Sequence, residues 1–295
     1  MERFAGTFGR WLMTPVILVL IAIGLYYFLR HIGWKHRQAM GFSLISPWVI
    51  GFLIFTAFPL VYSLFLSFTD YNLFNKPNWV GLSNYKWLFT KDIEFWKSVK
   101  LTLSYAAITL PIGVIGSLLV AMLLNKKIKG VGIFRTIYYL PAVLPEVAVA
   151  LLWRLFFNSE SGLLNYMLQP ILKLFNLGKP DWFGDARFVL PAFAIMSIWG
   201  IFGTNTVVFL AALQGVPRSL YEVADLDGAS AFKKFWNITV PQISPIILLQ
   251  IIMGMIGALQ VFTVAMFVRP TSAAGKFLNQ LIYERGFTQL HMGEA

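Results

Sequence analysis

Long apolar runs alternate with polar stretches along the whole chain. Trp11–Leu29, Phe42–Phe68, Val99–Leu124, Thr136–Phe157, Phe188–Gln214 and Ile243–Val268 are dominated by apolar side chains and carry few charges. About 20 apolar residues, rising about 1.5 Å each as a helix, cross a hydrocarbon core of about 30 Å. The pattern predicts an all-α, polytopic membrane protein with six transmembrane helices. A transmembrane barrel needs alternating segments of about 10 residues, and no such repeat is visible. The first run ends in Tyr26, Tyr27 and Phe28, followed by Arg30, His31, Lys35, His36 and Arg37. It reads as an uncleaved helix, because a signal peptide has a shorter apolar core and small residues at its cleavage site.

Interruptions within the runs predict local geometry. Pro47 and Pro59 lie inside the second run, and Pro59 predicts a kink. Gly113 and Gly116 in the third allow another backbone to approach closely in lipid. Glu146 in the fourth run is costly at membrane depth and must face protein or water. It either lines a pathway or pairs inside the bundle with a basic group or a helix end. Arg154 lies near the end of its run, where it snorkels to the interface. Between the second and third runs, Trp79, Tyr85 and Trp87 suit an interfacial belt.

Tyr221–Pro245 is a polar island between two apolar runs. Loops that merely reverse a helical chain take about 2–8 residues, so this stretch is long enough to fold and to meet a partner. Pro217 suits a first helical turn, and Leu220 and Ala224 share a face at i,i+4. Gly228 supplies positive φ and stops the helix. Ser230 caps a second short helix through Phe232, Phe235 and Trp236. Pro241 and Pro245 restart the chain as a membrane segment.

The pattern Glu222-x-Ala224-x-x-Asp227-Gly228-Ala229, followed by Ile238 and Pro241, resembles the EAA signature of ABC importer permeases. Val223 departs from it, since the family usually has Ala there. The second run, SPWVIGFLIFTAFPLVYSLFLSFTDY, resembles the first core helix of sugar-type permeases. The likeness to maltose-type carbohydrate permeases covers about residues 42 to 295. It implies a type I ABC-importer permease core at 42–295, with 215–241 as the cytoplasmic coupling segment. Residues 1–41 form an accessory transmembrane helix and a basic cytoplasmic loop. The family continues after a segment like FTQLHMGEA with one more membrane helix, and this sequence stops there. The resemblance further implies a bacterial inner membrane location, two ATP-binding subunits, a second permease subunit, an extracytoplasmic solute-binding protein and a sugar substrate. Glu222, Ala224, Asp227, Gly228, Ala229 and Pro241 are then the residues coupled to an ATPase.

Composition agrees with this picture. The chain has 295 residues, 58% hydrophobic and 13% charged, whereas soluble domains carry about 25% charged residues. A net charge of +11 points to anionic membrane lipid and helix-end topology rather than to nucleic acid. The short segments 30–41 and 125–135 are the most basic, with Lys126, Lys127, Lys129 and Arg135 in the second. Basic short loops face the cytoplasm, which places the island inside and the N-terminus outside.

The chain has no cysteine, which excludes disulfides, thiolate metal sites and cysteine nucleophiles. It contains no G-x-x-x-x-G-K-[ST], H-E-x-x-H or G-x-S-x-G pattern. His31, His36 and His291 are too scattered for a metal site. No catalytic residue, metal or cofactor is expected, and ATP hydrolysis is assigned to partner subunits. Other readings remain: a permease for a non-sugar solute, an integral-membrane transferase using Asp225 and Asp227, or a plain structural or assembly subunit.

Substrate contacts are expected from the fifth and sixth runs. Ser197, Gly200 and Thr204 share one helical face at i, i+3 and i+7. Gly257 and Gln260 lie at i, i+3, with Phe262 close by. Sugars offer hydroxyls for hydrogen bonds and C–H faces for rings. These positions align with those lining the maltose-type cavity, although the side chains differ. The glycines also fit plain helix packing.

Overall fold

The computed structural model describes residues 2–126, 130–268, 270 and 276–295. Lys127 and Lys129 of the basic loop lie outside the described residues. The chain divides into two compact units, Met1–Asn84 and Tyr85–Ala295.

In the first unit, α1 (Glu2–His31) folds back on α2 (His36–Phe52). Tyr26 Oη lies 2.9 Å from His36 Nδ1, and Trp34 meets Phe42 edge-on at 5.1 Å. A single π-helical turn, Leu53–Ala57, leads into α3 (Phe58–Leu66). Pro59 has no N–H to give the carbonyl of Phe55. The turn widens instead, and Phe58 N–H bonds Leu53 O, so the expected kink takes the form of a π-bulge. A hairpin follows, pairing β1 (Thr69–Asp70) with β2 (Asn78–Trp79). Asn84 Nδ2 donates to Ser67 O at 2.9 Å and to Thr69 O at 3.0 Å.

The unit boundary falls within α4 (Ser83–Thr90). The second unit is built on α5 (Ile93–Leu124), capped by Asp92, whose Oδ1 accepts from Phe95 N at 3.1 Å. Next come α6 (Val131–Val143), α7 (Glu146–Phe156) and the short amphipathic α8 (Leu163–Leu174). Then α9 (Ala186–Gln214) packs along α5. Gly113 is filled by Ile201 and Gly116 by Phe202, and Thr206 Oγ1 donates to Ser117 O at 3.4 Å across the pair. After α10 (Arg218–Leu226) and α11 (Ala231–Lys234), a π-turn at Phe235–Thr239 enters α12 (Val240–Leu259). α13 (Thr263–Val268) and α14 (Leu278–Tyr283) follow, and α14 runs on into a further π-turn at Glu284–Thr288.

Among the described residues, four helical stretches are long and apolar enough to cross a membrane: His36–Leu66, Ile93–Leu124, Ala186–Gln214 and Ala231–Val268. Gly132–Val143 and Glu146–Phe156 make a fifth if the pair counts as one span. Pro15–His31 is a shorter apolar helix. All six expected runs are therefore helical, but the fourth is not one rod. It bends by 99° between α6 and α7. Pro145 disfavours helical geometry in the residue before it, and Leu144 is extended, with φ −72° and ψ 139°. The sixth stretch also begins earlier than Ile243. The helix runs into it from Ala231, and Pro241 is absorbed by a π-turn, as Pro59 is.

Two apolar clusters stack along the α5–α9 pair. One gathers Leu101, Tyr105, Phe157, Trp182, Phe193 and Phe277. The other gathers Leu118, Ala121, Phe209, Leu213 and Ile243, with Tyr221, Phe235 and Ile238 packed against it.

Candidate functional site

A cavity of about 460 Å³ opens between the two clusters. α5 contributes Tyr105, Thr109, Leu110 and Val114, and α9 contributes Ser197, Gly200, Thr204 and Asn205. α12 and the break after it supply Gly254, Gly257, Gln260 and Val261, and α7 supplies Glu146 at its first residue. The three polar or small residues expected on α9 therefore share one lining with Gly257 and Gln260. Gln260 is the C-cap of α12, where the helix stops before α13. Phe262 is not part of this lining; its ring lies 5.2 Å from that of Tyr283. The chain leaves helical geometry at Gln260, with φ −102° and ψ 15°, so spacing along an ideal helix misplaces Phe262.

Tyr105 and Ser197 are hydrogen-bonded through their hydroxyls, which ties α5 to α9 at the cavity wall. Gly200 and Gly257 have open space where a Cβ would sit. They enlarge the cavity rather than admit a neighbouring helix. Gly254 and Gly203 behave in the opposite way. A Cβ on Gly203 would lie 2.6 Å from Tyr138 O, and one on Gly254 would press on Leu110. Sequence reading missed Tyr105, Thr109 and Asn205. A signal was present: Ser98, Thr102, Tyr105, Thr109 and Ser117 recur at helical spacing in an otherwise apolar run, and all are buried.

The island is a second candidate site, at the far end of the bundle. Pro217 is the N-cap of α10, one residue earlier than a first-turn position. Gly228 has φ +67°. Gly228 N–H bonds Asp225 O at 3.1 Å and Ala229 N–H bonds Ala224 O at 2.9 Å, the Schellman closure that a left-handed residue permits. Ser230 caps α11, with Lys233 N donating to its Oγ at 3.4 Å. Lys234 and Asp225 form an ion pair, and the Tyr221 and Thr239 hydroxyls are 2.8 Å apart. These links fasten α10 to the root of α12. Glu222, Asp227, Gly228 and Pro241 are exposed, while Ala224 and Ala229 are half-buried. Leu226 and Phe232 stand 89% and 73% exposed beside them, an apolar surface left uncovered among the described residues.

A charged clamp closes the opposite end. Arg285 pairs with Asp92, both buried, and its guanidinium lies over the Trp87 ring at 5.1 Å. Lys276 bridges Glu94 at 3.0 Å and Glu284. Partial burial pulls the Lys276 ammonium down, but its hydrogen bonds to Glu284 and Glu94 outweigh this and leave its pKa above the usual lysine value. Among the described residues no cluster of His, Asp and Glu is arranged to hold a metal ion.

Bundled apolar helices, a largely apolar cavity dotted with polar side chains and a projecting helix pair fit a membrane protein of the transport class. The chain belongs to the family of binding-protein-dependent transport system inner membrane components, which matches residues 95–291. It is 38% identical over 263 residues to the probable ABC transporter permease protein YesP of Bacillus subtilis, covering 86% of this chain and 82% of that one. It is 32% identical over 232 residues to the trehalose/maltose transport system permease protein MalF of Thermococcus litoralis, covering 78% and 77%. Its fold resembles a chain in the crystal structure of a bacterial ABC transporter involved in the import of the acidic polysaccharide alginate. That likeness has a TM-score of 0.74 and 26% identity, and covers 88% of this chain and 87% of the other.

Proposed function

We propose that this chain forms part of the wall of the translocation pathway in an ATP-driven importer of saccharides. The observation that carries the reading is the cavity between the two clusters, with its hydroxyls, amide groups and open glycines. Saccharides need such a lining, because each hydroxyl removed from water requires a partner. The maltose-, trehalose- and alginate-linked names of similar proteins support the substrate class. In this reading the solute arrives from an extracytoplasmic binding protein, and a second permease completes the cavity. The island docks through Glu222, Ala224, Asp227, Gly228 and Ala229 on one of two ATP-binding subunits, which alone hydrolyse ATP. The membrane is the bacterial inner membrane, with the island on the cytoplasmic side. ATP-driven closure then biases a two-state rocking of the helices.

The test replaces cavity amides and hydroxyls with apolar groups of similar size. Gln260→Leu and Thr204→Val in the assembled transporter should each lower ATP-driven sugar uptake at least about ten-fold, roughly the cost of leaving one polar partner unmatched. Wild-type uptake across a sugar panel in both variants would sink the reading.

A further inference from the structure

Among the described residues of this chain, the cavity lining holds one carboxylate and no cation. Of its residues only Glu146 and Tyr105 carry ionisable groups, with no Lys, Arg or His among them. The Tyr105 hydroxyl is engaged by Ser197. Glu146 is exposed to the cavity, and among the described residues it makes no ion pair or hydrogen bond. It is the first residue of α7, an 11-residue helix, and the positive end of a helix dipole stabilises a negative charge there. Pro145 fixes that position, because it ends α6 and makes α7 start at the cavity. An unneutralised charge inside a concave, low-dielectric wall sets the sign of the local potential. A carboxylate also accepts strong hydrogen bonds from hydroxyls and ammonium groups, while it repels another carboxylate.

We infer that Glu146 makes this cavity select its solute by charge, admitting neutral and amine-bearing saccharides and turning away uronates. The inference rests on the cavity being the pathway proposed above.

The experiment uses the full chain, whose lack of cysteine gives a clean background. Gly257→Cys places one thiol in the cavity, where a Cβ meets nothing within 4 Å. Membranes are labelled with a cationic trimethylammonium and an anionic sulfonate methanethiosulfonate reagent. The cation-to-anion rate ratio should exceed that for free 2-mercaptoethanol. It should fall about five-fold when Glu146→Gln is added, the order expected for one charge acting on opposite probes through water, and fall further with Glu146→Lys. A ratio unchanged by both substitutions overturns the inference, as does a thiol that neither reagent reaches. If the Glu146 variants do not insert, the native-Glu146 ratio decides alone: a value at or below that of the free thiol overturns it. In the assembled transporter, Glu146→Gln should raise uptake of a digalacturonate relative to maltose about five-fold. A transporter that carries neither sugar defeats the importer reading, and the labelling ratio still decides the charge of the cavity.

Discussion

Asn165 illustrates how much one side chain organises at residue scale. It is 2% exposed, donates to Ser159 O at 3.0 Å and Pro180 O at 2.9 Å, and accepts from Trp182 Nε1 at 2.8 Å. Asn165→Ala leaves those three groups without a partner and should cost about 3 kcal/mol. A thermal melt of the detergent-solubilised chain checks it; an unshifted midpoint would show that water replaces the amide. Gly228 acts through its backbone instead. Nothing lies within 4 Å of a Cβ there, so Gly228→Ala carries only the left-handed penalty of about 1–2 kcal/mol. Proline cannot adopt positive φ and also lacks the N–H given to Asp225 O. Gly228→Pro should therefore abolish uptake while membrane insertion, followed by immunoblot of the membrane fraction, stays normal. The Gly228 turn was legible because glycine has a single steric meaning after a short amphipathic helix. Phe262 was not legible, because its direction depends on the irregular step after Gln260.

At element scale, Pro59, Pro241 and Pro145 meet two different outcomes, whereas Pro47, Pro111 and Pro191 sit inside unbroken α-helix. Pro59 and Pro241 each stand two residues beyond a π-turn, Leu53–Ala57 and Phe235–Thr239. There the helix continues by widening one turn. Pro145 breaks its helix, since α6 then packs on α9 while α7 packs on α13. Sequence period and length located the apolar run at 136–157, but they contain no term for those two different partners. The α6–α9 contact itself depends on Gly203, whose missing Cβ leaves room for the Tyr138 carbonyl. Backbone gives way less readily than a side chain, so Gly203→Val should cost about 1–3 kcal/mol as overpacking. Gly200→Val, three residues away and facing open space, should not. Comparing the folded yields of the two variants by size-exclusion chromatography checks the contrast, and equal losses would contradict it.

At the scale of the whole molecule, burial is uneven. Only 6% of the best apolar window in His36–Leu66 is buried, against 39% in Ile93–Leu124 and in Ala186–Gln214. The first unit thus keeps Phe55 and Phe58 turned outward, 80% and 65% exposed, and lipid or a second subunit has to cover them. The family match begins at residue 95, beyond α1, α2 and α3. Deleting residues 1–38 should therefore leave pull-down of an ATP-binding subunit at wild-type level. Loss of that pull-down, with the remaining helices correctly inserted, would assign α1 to the core. The helical character of the apolar runs and the island were legible because lipid permits little else over such lengths. Cavity walls drawn from α5, α7, α9 and α12 were only partly so, since they arise where four elements happen to converge.

The fastening of α10 to α12 has a mechanical consequence. With Tyr221 bonded to Thr239 and Asp225 paired with Lys234, the island has no loose joint at its base. α12 spans 20 residues, or about 30 Å of rigid rod at about 1.5 Å each. Its far end is Gln260, at the cavity wall. Tilting such a rod by about 5° about its island end sweeps the other end through about 2.5 Å, close to the length of a hydrogen bond. A push too small to see at the island is thus geared up into one large enough to release a hydroxyl.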